Sequence, residues 1–136
     1  MRKPGWFARG ALVGALALMV PQLAQVALAK PKLAALAQSR VDAAAKVYEA
    51  VEAQWRAGRG TIDAVGTWSV RWVQAARDQP HTRKTMAVAL DAHLARMQAV
   101  QTEATRQVGA GLASASDSAI AAYYVAEAEL WAARGE

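Results

Sequence analysis

Ala57-Gly58-Arg59-Gly60-Thr61-Ile62-Asp63-Ala64-Val65 is the stretch that decides the fold. Two glycines permit the left-handed backbone in which helices commonly end. Thr61 then offers a hydroxyl to cap a new helix, and Asp63 falls in that helix's positive first turn. Helical periodicity stands on both sides of the turn. From Lys32 to Ala57, apolar residues recur at Val41, Ala44, Tyr48, Val51 and Trp55. Spacings of three and four make one helical stripe, and its seven-residue repeat matches a coiled-coil seam. Asp42 with Lys46, and Glu52 with Arg56, are acid-first pairs at i,i+4 that support the helix. After the turn, Val65, Trp68, Trp72 and Ala75 predict a second helix to about Asp78.

Gln79-Pro80 interrupts the pattern. Proline suits the first turn of a new helix, and it also fits a kink in one long helix. The third stretch carries Met86, Leu90, His93, Leu94, Met97 and Val100 on one face and runs to about Val108. Gly109 and Gly111 end it. Ser114 and Asp117 have the spacing of a capping box, and a last helix uses Ile120, Tyr123, Tyr124, Leu130 and Trp131. A shift of 53 superposes the halves: Val41 on Leu94, Ala44 on Met97, Val47 on Val100, Trp55 on Val108, Gly58 on Gly111 and Thr61 on Ser114. Such a match marks a duplicated unit. The expected fold is all-α, two antiparallel, coiled-coil-like helical hairpins over about 32–78 and 80–135, with helices two and three continuous through Pro80 as an open variant.

The turn segments, with Ala110-Gly111-Leu112-Ala113-Ser114-Ala115-Ser116-Asp117 as the second, resemble the A-G-x-x-[ST]-x-x-[DE]-V stretch of TolC-type outer-membrane efflux proteins. In that family the stretch lies at periplasmic tips where two long helices reverse, and the tips meet adaptor proteins. The likeness covers thirty to forty residues in each half. Asp117 matches the acidic position, whereas Ala64 occupies it in the first half. Val65 matches the apolar position, whereas Ser118 replaces it in the second. Leu112 fits the residue after glycine and Arg59 does not. The family's membrane strands have no counterpart, so the resemblance implies exported helical hairpins and a contact tip, not a channel.

Export is also written at the start of the chain. Arg2, Lys3 and Arg9 precede an apolar run from Ala11 to Val20, Pro21 follows, and Ala27-Leu28-Ala29 is an A-x-A site. These are the parts of a secretory signal peptide, and a run of about ten residues falls short of the roughly 20 that span a bilayer. Residues 1–29 are read as the signal peptide, cleaved after Ala29, and 30–136 as a single helical domain in the periplasm or outside the cell. Of the 136 residues, 107 then remain, with thirteen basic against eleven acidic. So small an excess, spread along the chain, gives no nucleic-acid surface. With no cysteine, neither a disulfide nor a lipidated anchor is available. The mature chain has no membrane span.

Chemistry is sparse. Gly58-Arg59-Gly60 and Gly109-Ala110-Gly111 follow no strand and lack the Gly-Lys-Ser/Thr ending of a phosphate loop, so they read as helix stops. His81 and His93 are the only histidines, no Gly-x-Ser-x-Gly elbow is present, and no acidic pair stands out as an acid–base couple. No enzyme and no cofactor are expected. Met86, His93 and Met97 share a helical face, and thioether and imidazole ligands suit Cu(I), so a periplasmic metal-binding or stress-response protein is the alternative function. The plainer reading is that they pack. Trp55, Trp68, Trp72 and Trp131 read as fillers between Ala-rich helices rather than a ligand box, and Tyr123 and Tyr124 cannot both face one core. Alanine buries little area, so the chain is expected to persist by packing against itself, as a homo-oligomer, or against a helical envelope protein. The contact residues expected are the turn positions Gly58, Arg59, Thr61, Gly111, Leu112, Ser114 and Asp117.

Overall fold

The computed structural model describes residues 20–135, with side chains from Lys30 onward. The basic start of the expected leader and nearly all of its apolar run lie outside the described residues. Four helices account for most of the described chain: α1 Val20–Arg56, α2 Ile62–Arg77, α3 Arg83–Gly109 and α4 Ala115–Arg134. The fold is all-α, with no strand among the described residues. No described helix is long and apolar enough to cross a membrane. From Leu33 onward the chain forms one compact unit.

Local chemistry explains where the helices start. Thr61 caps α2 by accepting from the Ala64 N–H at 3.2 Å. Ser114 caps α4 in a reciprocal box with Asp117, whose carboxylate accepts from the Ser114 N–H at 2.8 Å. Each such cap satisfies backbone donors that a helix start otherwise leaves orphaned.

The two glycine turns are the same structure. Gly58 and Gly111 both stand at φ +71°. Gly58 N–H reaches the Trp55 carbonyl at 2.9 Å and Arg59 N–H that of Gln54 at 2.9 Å. At the same positions 53 residues on, Gly111 reaches Val108 at 3.0 Å and Leu112 reaches Gln107 at 2.8 Å. This is the paired bonding of a Schellman helix end, present twice in the register in which the halves superpose.

Side chains give the directions. Arg40 pairs with Asp78, and Tyr48 stacks on Trp72 at 5.8 Å between ring centres, so α2 runs against α1. Ser69 meets His93 across α2 and α3, and His93 meets Trp131 across α3 and α4. Tyr124 reaches Asp63, and Arg77 lies over Trp131, so α2 and α4 point the same way. One apolar cluster joins all four helices: Tyr48 and Trp55, Ile62 and Val65, Met97, Val100 and Ala104, with Ala121, Tyr124 and Val125. A smaller one gathers Val73, Met86 and Leu90.

The halves share this core with a slide between them. Arg96 of α3 stands over Tyr48 of α1, an offset of 48 rather than 53. Tyr124 of α4 lies on Gly66 of α2, an offset of 58. Both displace the α3–α4 turn outward relative to the α1–α2 turn, whereas Arg77 with Trp131 at the far end keeps an offset of 54. Burial agrees. α2 is buried from its first residue, Ile62, whereas α4 has no buried residue before Ala121.

Several expectations change. The first helix is already present at Val20, the first described residue, well before Lys32, and runs through Pro31. Pro31 forfeits one bond inside a run rich in Ala and Leu, the best helix formers. Helices two and three are not continuous. Asp78 ends α2, and a Thr82–Thr85 capping box that the sequence reading overlooked starts α3, leaving Pro80 in the connection rather than in a kink. Glu52–Arg56 forms at 2.7 Å, whereas Asp42 accepts from Gln38 rather than pairing with Lys46.

In α2, Ile62, Val65, Gly66, Ser69 and Val73 are buried, with Trp68 and Trp72 only half so, because the helix has neighbours on several sides. In α4 the buried face is Ala121, Tyr124, Val125 and Ala128, while Leu130 and Tyr123 are exposed. Close helix approach selects alanine there, and the large residues line its edge. Tyr123 and Tyr124 do separate, at 61% and 9% exposed.

A Cβ at Gly66 would lie 2.2–2.4 Å from the Tyr124 ring, a true clash. Gly66→Ala should therefore destabilise the fold by about 1–3 kcal/mol through overpacking, despite alanine's better helix propensity. Urea denaturation followed by circular dichroism measures this, and an unchanged midpoint would contradict the close fit.

Candidate functional site

The expected contact residues fall on the two turns, and most have structural duties. Gly58 and Gly111 supply positive φ, Thr61 and Ser114 cap, and the two Ser114 hydrogen bonds hold the Asp117 carboxyl below its ordinary range. Arg59 and Leu112 are exposed, and neither side chain is needed for capping. Leu112 is 74% exposed. It occupies the Schellman position whose apolar side chain usually packs against the residue five before it. That residue is Gln107, and its amide instead donates to Glu103 at 2.9 Å. Glu103 also takes both Arg106 nitrogens, at 2.8 and 2.6 Å, and these bonds pull its carboxyl down to about 2. The polar clamp beside the turn is closed on itself, which leaves Leu112 alone at the projecting end. The structure puts both turns at one end of the unit, with Leu112 further out than Arg59.

A second arrangement lies inside the unit. Ser69 Oγ is 2.8 Å from His93 Nδ1, and both residues are fully buried. Arg96 donates its Nε–H to Ser69 Oγ at 3.0 Å, so the hydroxyl is free to give its own proton to His93 Nδ1. His93 Nε2, the other ring nitrogen, is buried with no hydrogen-bond partner. Arg96 in turn lies over Trp72 at 4.1 Å and Tyr48 at 5.5 Å. Arg77 stands over Trp131 at 4.9 Å, and its Nη2 is also buried and unpartnered. Burial, then the positive fields of Arg96 and Arg77, push His93 down to about 4. Burial likewise raises Tyr48 to about 12.

The sequence reading missed this cluster. Ser69 sits inside α2, 24 residues from His93, and looked like any polar interruption of a stripe. A serine with an arginine three residues past the histidine is a signal visible only after α2 and α3 are aligned against each other. A serine–histidine pair invites comparison with a nucleophile and its base. Here Ser69 is sealed from solvent, and no carboxylate among the described residues orients the imidazole. The pair holds α2 to α3. Of the alternative ligand set, Met97 packs in the large cluster and Met86 in the small one, while His93 Nδ1 is taken by Ser69. His81 lies elsewhere, exposed, donating from Nδ1 to the Gln79 carbonyl at 2.8 Å.

No family model matches the chain, and no curated protein or solved structure is significantly similar to it.

The buried imidazole makes stability depend on pH. His93 ionises near 6.5 when unfolded and near 4 when folded, so between those values the unfolded chain binds more protons. Its contribution is intact above about pH 6.5 and is lost as pH falls toward 4, at up to about 1.4 kcal/mol per pH unit. His93→Gln should flatten that slope, as chemical denaturation between pH 4 and 7 would reveal. An unchanged slope would remove His93 as its source.

Proposed function

We propose that this protein is an exported helical module that acts by protein contact and not by catalysis, with the projecting α3–α4 turn as its contact tip. One observation carries the reading: Leu112 stands 74% exposed at the outermost turn, without the intrahelical apolar partner that its position usually has. A large apolar side chain held on a rigid, doubly capped turn is preorganised to enter a partner's groove at little entropic cost. The likeness of the turn to the periplasmic tips of TolC-type efflux proteins suggests the partner class, a helical hairpin of an envelope protein such as an efflux adaptor. The basic-apolar-small pattern of residues 1–29 supports export to the compartment where such partners are found.

Arg59, on the α1–α2 turn, belongs to the flank of the same surface. Thr61, Ser114 and Asp117 serve the tip by holding its backbone.

The test is crosslinking in the periplasm with a photo-reactive residue at position 112, and separately at 59. Capture of one envelope protein at 112, reduced about tenfold or more by Leu112→Asp in binding measurements on the purified pair, is the expected result. Capture of this chain alone would recast the tip as a self-assembly contact. Capture of nothing at either position would overturn the reading.

A further inference from the structure

A cavity of about 370 Å³ opens between α2 and α3, at the end of the unit away from the turns. Its wall is mostly apolar, with Val41, Trp72, Val73, Met86 and Ala89; Gln79, His81 and Thr85 add polar groups toward the α2–α3 connection, and Arg96 supplies the guanidinium. Small-ligand clefts have this size and this make-up, roughly 300–1,000 Å³ of apolar lining around a few fixed polar groups.

Arg96 is fixed. Its Nε is bound to Ser69 Oγ, itself fully buried, and its plane is stacked on Trp72 at 4.1 Å. It makes no salt bridge with any described carboxylate, since Glu52, the acid whose field reaches it, is paired with Arg56 at 2.7 Å. The two terminal guanidinium nitrogens are therefore left with donors to give. Tyr48 and Trp72 satisfy the face of the cation but not its edge. A guanidinium edge presents parallel N–H groups that match a carboxylate. A half-buried cation lacking a counter-ion, set in an apolar wall, is complementary to a molecule with an anionic head and an apolar body.

We propose that this cavity binds a small amphipathic carboxylate, a medium-chain or aromatic monocarboxylic acid, with the carboxylate on Arg96 and the apolar body against Val73, Met86 and Ala89. The site is independent of the contact tip, and either can fail without the other. Ala92, exposed on the cavity rim, offers a place to block it without touching the buried polar cluster.

The experiment is calorimetric titration of the full mature chain with octanoate, and with octanol as the uncharged control. Saturable one-to-one octanoate binding is expected, with octanol at least tenfold weaker and Ala92→Phe weakening octanoate at least tenfold. Circular dichroism confirms that the variant is folded. Any of three results overturns the proposal: no saturable octanoate binding into the millimolar range, octanol bound as tightly as octanoate, or binding untouched by a folded Ala92→Phe.

Discussion

The ring of Tyr124 occupies the space that a side chain at position 66 would need, and the arrangement of the helices follows from that fit. Only glycine lets α4 come so near α2, and the tyrosine hydroxyl then fixes the register by donating to Asp63 Oδ1 at 2.9 Å. Buried alanines at 121 and 128 extend the close approach along α4. Once α4 is set in this register, the turn that precedes it must stand beyond the turn that precedes α2. The projecting tip is thus a product of packing deep in the unit, and the exposed Leu112 owes its position to a contact well removed from it.

A second constraint acts across the middle. Ser69, His93 and Arg96 form a buried chain of hydrogen bonds, and two aromatic rings cover the cation at its end. Polar networks buried this way are worth their desolvation only when satisfied, and they penalise any other register of the helices that carry them. Alanine-rich faces can slide past one another with little change in buried area. Ser69 with His93, and Tyr124 with Asp63, remove that freedom for α3 and α4 in turn.

Much of this was legible in the sequence. The glycine turns, the Thr61 cap, the Ser114–Asp117 box and the buried stripe of α3 follow from local rules, because φ and capping chemistry depend on neighbours in the chain. The stripes of α2 and α4 were legible only in part: Val65, Ala75 and Tyr124 are buried as read, and the other large residues named with them are not. Periodicity weights a residue by its size, so Trp68, Trp72 and Leu130 drew the faces toward themselves, while the structure buries Gly66, Ser69, Ala121 and Ala128. Small residues mark close approach, and nothing in a single helix says which neighbour will come close. The Ser69–His93–Arg96 cluster failed for the same reason, being a property of two helices in a particular alignment. The residues named for contact do lie on the two turns, yet only the register of the core distinguishes Leu112 from Arg59.

Two copies of a unit packed level would be related by a plain rotation about an axis along the bundle. The slide turns that rotation into a screw, and a screw gives the molecule a leading and a trailing copy. The same Schellman turn then serves two trades. In the trailing copy it stays close to the shared core, with Gly60 held so near Trp55 that a Cβ there would lie 3.1 Å from its backbone nitrogen. In the leading copy Ala113 takes that place and is half-buried, while Leu112 beside it stands out in solvent. Like turns given unlike surroundings need not keep the same duties, and one end of the unit acquires a front.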